Sequence, residues 1–199
     1  MRTSLWLTGV MALAGTSIAV NNPAAKPSFA ELTWYSNRQV VKSQMLSKGY
    51  AFVREVKDRG AIDVEYSGRI QGINATILHS FNSKNQLVKS QIIFDKSAQS
   101  TLLNNFQNIK GSLDNKYGSS VDLTNISEFT SKEYDFSVES ELGRGKRVNA
   151  AWSFTTNRYF IGLSIIQPYL NNREYFVSLA YESPAWGAEL DRRNSGGDL

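Results

Sequence analysis

Between Ala51 and Phe94 the apolar pattern changes from a helical period toward a period of two, and this limits the fold more than any other feature of the chain. In residues 61–70, "AIDVEYSGRI", Ile62, Val64, Tyr66 and Ile70 alternate with Asp63, Glu65, Ser67 and Arg69. A period of two, apolar on one side and polar on the other, is that of a half-buried strand. Residues 51–57, 74–82 and 87–94 also read as strands, separated by Asp58-Arg59-Gly60, Gln71-Gly72 and Asn82 to Asn85. Connections this short join antiparallel neighbours, so four strands in a meander are expected.

A helix precedes this block. Ser36 and Gln39 fit a capping box, with Tyr35 and Val40 as its hydrophobic staple. Val41 and Met45 follow one turn apart on one face. Gly49 suits the left-handed residue after a helix, and Tyr50 can fold back on Met45 in a Schellman ending. Trp34 is expected under the helix start, and Arg38 and Lys42 on a solvated face. A second helix follows the strands, since Leu102, Phe106, Ile109, Leu113 and Tyr117 form one stripe. Its expected cap is Ser97 or Ser100, and Gly118 its stop.

Strands then resume at 132–140, 147–155, 159–166 and 174–182, with the first two joined by the "GRGK" loop at 143–146. The order is α-β4-α-β4. It implies an α+β fold: an antiparallel sheet of about eight strands with two helices packed on one face. The two halves, 33–95 and 96–182, share this order and could descend from a duplication.

The N-terminus reads differently. Basic Met1-Arg2, the apolar run Leu5 to Gly15 and small residues before Ala19 make a secretory signal peptide over 1–19. A retained anchor is the other reading. Residues 20–32 read as a leader, 33–182 as one domain and 183–199 as a flexible tail. The expected location is secreted or periplasmic, with no membrane span once processed. The chain has no cysteine, which excludes thiol catalysis, disulfides and cysteine metal sites. Its 22 basic and 18 acidic residues give a net +4. Basic residues are scattered among acids rather than gathered on one element, so a nucleic-acid partner is not expected.

No catalytic constellation stands out, and no metal or cofactor is implied. His79, the single histidine, shares a strand face with Ala75, Ile77 and Phe81, and reads as a packed residue with one local hydrogen bond. Asp63 with Glu65, and Glu133 with Asp135 and Glu139, point the same way from their strands, as on any solvated sheet face. "GRGKR" lacks the spacing and the helix of a phosphate loop. Arg144, Lys146 and Arg147 would project together from this hairpin tip and are the first candidates for binding, followed by Arg38 and Lys42. The leading expectation is an exported, non-catalytic binding protein of the bacterial periplasm or cell surface, acting on a protein or envelope partner. A carrier of a lipid or other apolar small molecule comes second, because 159–166 is apolar on both faces. A carboxylate-dependent envelope hydrolase comes third.

Overall fold

Helix α1 (Arg38–Ser47) begins one residue later than the capping box predicts. In the computed structural model, which describes residues 25–58, 61–96, 99–122, 149–154, 156–166 and 175–195, Asn37 is the cap. Its side-chain oxygen accepts from the Val40 N–H at 3.0 Å. The expected Tyr35–Val40 staple does not form, and both side chains stand exposed. The reason is tertiary. Tyr35 takes a φ of 66° and donates its N–H to the Leu87 carbonyl, while the Leu87 N–H donates to that of Ser36. Pairing with a distant strand thus shifts the local cap. The other end of α1 follows the sequence. Gly49 has φ 85°, the Tyr50 N–H donates to Met45 O at 3.1 Å, and the Gly49 N–H donates to Leu46 O at 3.0 Å. These are the two bonds of a Schellman ending.

Strands β1 (Ala51–Asp58), β2 (Ala61–Ile70), β3 (Ile73–Phe81) and β4 (Leu87–Phe94) form the expected meander. Helix α2 (Gln99–Tyr117) follows, then β5 (Val121–Asp122), β6 (Asn149–Phe154), β7 (Tyr159–Ile166) and β8 (Phe176–Glu182). All pair antiparallel in one sheet of order β1-β2-β3-β4-β8-β7-β6-β5. Each half supplies a helix and four strands, and the halves meet through their last strands. The expected strand at 132–140 and the loop at 143–146 lie outside the described residues, as does the 1–19 segment.

One face of the sheet carries the core. Val64, Tyr66, Ile77, Phe81, Ile92, Trp152, Ile161, Leu163 and Leu179 lie there with Val41 and Met45 of α1. The whole α2 stripe, Leu102, Phe106, Ile109, Leu113 and Tyr117, is buried against them. Helix α1 rests on β1, and α2 on β7 and β8. Gly118, at φ 93°, ends α2, and its carbonyl accepts from Trp152 Nε1 at 2.8 Å. Ser100 falls inside α2 and Ser97 outside the described residues. No helix among the described residues is long and apolar enough to cross a membrane.

Two boundaries differ from expectation. The leader contributes to the core: Phe29 and Leu32 are buried, and Trp34 donates to Pro27 O at 2.9 Å while stacking on Tyr159. Trp34 thus packs against the start of β7, in the same core as Val41 and Met45 of α1. The expected tail is a helix, α3 (Trp186–Ser195), docked on the opposite sheet face. Asp63 alternates with the inward Val64, so the Arg193 guanidinium that it holds at 3.0 Å lies on the outer side. Arg193 also bonds Glu189 Oε1 at 3.0 Å and the Phe81 carbonyl at 3.3 Å. Trp186 lies under two cations, Lys89 Nζ at 4.5 Å and Arg193 Cζ at 5.3 Å from its ring. Lys89 in turn pairs with Glu182 at 3.1 Å, nearly out of reach of water. Polar anchoring replaces the apolar stripe that a periodicity search detects.

Two outcomes follow for stability. Gly49→Val should lower it by about 1 kcal/mol or more, read as a fall in Tm, because a β-branched residue resists positive φ. A Cβ at Gly49 would meet nothing within 4 Å, so that cost is purely conformational. Arg193→Ala should cost roughly 2 kcal/mol by leaving Asp63 without its partner. Hydrogen exchange over 186–195 should then quicken well before that of the β2–β3 ladder.

Candidate interaction surface

The basic residues of α1 have partners. Arg38 Nη1 lies 2.6 Å from Glu55 Oε1 on β1, and Lys42 Nζ sits 4.1 Å from the centre of the Phe52 ring. Phe52 meets the buried Tyr66 edge-on, with centroids 6.0 Å apart. Arg38 and Lys42, one helical turn apart, thus fasten α1 to β1. Their expected solvated role is replaced by one that depends on which strand the helix crosses. Burial, with Glu55 adding to it, pushes the Tyr66 hydroxyl up to about 12. The leading binding candidates, Arg144, Lys146 and Arg147, lie outside the described residues.

Sequence reasoning missed the exposed apolar side chains. Among the described residues Tyr35, Val40, Leu46, Phe52 and Val53 are the large hydrophobics left in water, all between positions 35 and 53. Helical spacing divides them. Leu46 follows Arg38 and Lys42 at i+8 and i+4, on the flank turned toward β1. Val40 falls on the opposite flank of the buried Val41–Met45 stripe. Tyr35 lies beside Tyr159, whose hydroxyl is raised by burial first and by Tyr35 second. Leu46 on α1 and Phe52 and Val53 on β1 remain exposed on the two elements that meet at this rim. The signal was present, since Leu46 breaks the α1 stripe and "FV" at 52–53 breaks the alternation. The break is a register shift in β1 between Phe52 and Arg54. Such a bulge re-aims side chains at a sheet edge.

The acids give no shared site among the described residues. Asp63 binds Arg193, and Glu65 takes Arg54 Nε at 2.6 Å. Glu133, Asp135 and Glu139 lie outside the described residues. His79 is fully buried, with Nδ1 3.0 Å from Ser90 Oγ on the facing strand and its ring between Phe29 and Tyr66. This is the packed histidine with one local bond that its strand face implied. Phe160, which made β7 apolar on both sides, is half-buried and lies over Gly162, where a Cβ would come within 2.9 Å of its ring.

Burial lowers the His79 pKa to about 3. The unfolded chain takes up this proton near pH 6.5, whereas the native chain resists until far lower pH. The stability tied to neutral His79 is therefore complete above about pH 6.5 and falls as pH drops toward 3. Urea melts should show about 2 kcal/mol lost between pH 7 and pH 5, and His79→Leu should flatten that slope. No known protein family, curated protein sequence or solved structure matches this chain.

Proposed function

We propose that this chain is an exported, non-catalytic binding protein of the bacterial periplasm or cell surface, and that it engages a protein partner through the rim formed by α1 and β1. The observation that carries the reading is the concentration of exposed large hydrophobics between Tyr35 and Val53, on a helix and strand otherwise tied together by Arg38 and Lys42. Scattered apolar residues on a surface call for no explanation, but a cluster beside a sheet edge suits a partner. The signal-like N-terminus supports the location, and the separate guanidinium partners of Asp63 and Glu65 favour binding over carboxylate catalysis.

A photo-crosslinking residue placed at Leu46 or at Val53, in the full chain in its own cells, should give a discrete adduct with another protein. The same residue at the exposed Lys84, on the β3–β4 turn, should not. An identical smear from all three positions, or no adduct from Leu46 and Val53, would overturn the reading. An adduct made only of two copies of this chain would also remove the heterologous partner.

A further inference from the structure

Strand β1 ends the sheet. It pairs with β2 on one side, and no described residue pairs with the other. The opposite edge, β5, is only two residues long, so β1 is the one extended edge among the described residues. Its outer N–H and C=O groups form a template for another strand. The register shift after Phe52 leaves Arg54 to Asp58 as its regular stretch, matched one to one with Glu65 back to Ala61.

That stretch reads Arg-Glu-Val-Lys-Asp. Its charges are complementary to themselves when two copies run antiparallel about Val56. Val56 then faces Val56, Glu55 faces Lys57 twice, and Arg54 faces Asp58 twice. Facing residues of an antiparallel pair share a sheet face, and a two-fold axis perpendicular to the sheet preserves that rule. Glu55 and Lys57 fall on the face that holds α1, where Glu55 meets Arg38, and Arg54 and Val56 fall on the other. The alternatives fail on charge. Centring on Arg54, Glu55 or Lys57 sets like charges directly opposite, which destabilises the pair. The Arg54 and Lys57 side chains, 60% and 69% exposed, each hold an acid of their own sheet, Glu65 at 2.6 Å and Glu55 at 3.6 Å, and the pairing would extend these ion pairs across the seam.

We propose that β1 pairs with β1 of a second copy about a two-fold axis at Val56, joining two eight-stranded sheets into one continuous sheet. Charges and a bulge ordinarily keep a bare edge from pairing. Here their alternating signs admit one partner in one register. The pairing uses the strand edge and stands whether or not the Leu46 flank takes a different protein.

Sedimentation equilibrium of the full chain should show a reversible monomer–dimer system. Glu55→Lys sets lysines opposite lysines at both symmetric positions, and Lys57→Glu sets glutamates opposite glutamates. Each change alone should weaken the dimer at least about tenfold. An equimolar mixture of the two variants should dimerise again, because lysines then face glutamates throughout. Misfolding of either variant cannot produce that recovery. A wild-type chain that stays monomeric, variants that dimerise as the wild type does, or a mixture that stays monomeric would each overturn the proposal.

Discussion

Everything outward of the sheet's centre depends on the pairing of β4 with β8. Five residue pairs, from Lys89 with Glu182 to Ile93 with Ser178, join two meanders that otherwise meet through the helices and the leader. The joint is built differently on its two faces. Inward, Ile92 lies opposite Leu179 in the core. Outward, Lys89 holds Glu182, and Gln91 Nε2 donates to Ser178 Oγ at 3.1 Å. A buried ion pair is weak as net stabilisation, because desolvation offsets attraction. Its strength lies in what it forbids. A shift of β8 by one residue would separate both charges from their partners and turn Leu179 out of the core.

The outer face repeats this logic. Arg54 with Glu65, Asp63 with Arg193, and Lys89 with Glu182 neutralise one another across strands or against α3. On the inner face His79, buried among apolar side chains, stays neutral at physiological pH. Charge is thus matched across the outer face, and the rim of α1 and β1 is where apolar side chains and exposed charged ones meet water together.

What could be read from the sequence was what depends on near neighbours. The alternation in β2, the α2 stripe and the Gly49 ending each arise from residues within a few positions of one another. The cap of α1 was misread by one place because Leu87, fifty residues on, recruits Tyr35 and Ser36. Arg38 and Lys42 read as solvated because nothing local says that Glu55 and Phe52 lie beneath them. Helix α3 carried legible end signals: Ser183-Pro184 before it, Glu189 early, and Arg192 and Arg193 late. A single tryptophan is too little for a periodic stripe, however, and its ionic partners lie in the first meander. Leu46 was visible as an apolar residue out of phase, but its exposure required knowing that the helix has one buried stripe only.

The palindromic strand order also sets the tempo of folding. Within the first meander the turns close over a few residues, and such hairpins form in microseconds. The link from Gln91 to Ser178 spans 87 positions, and that from Asp63 to Arg193 spans 130. Long-range closure of this kind slows folding, since chain entropy is lost before the contacts form. Until residues 176–182 arrive, β4 is itself an edge, flanked by the apolar surface of an incomplete core. The strand that the native state hides at its centre is thus the most adhesive part of the unfinished chain, and the interval before β8 docks is when aggregation competes with folding.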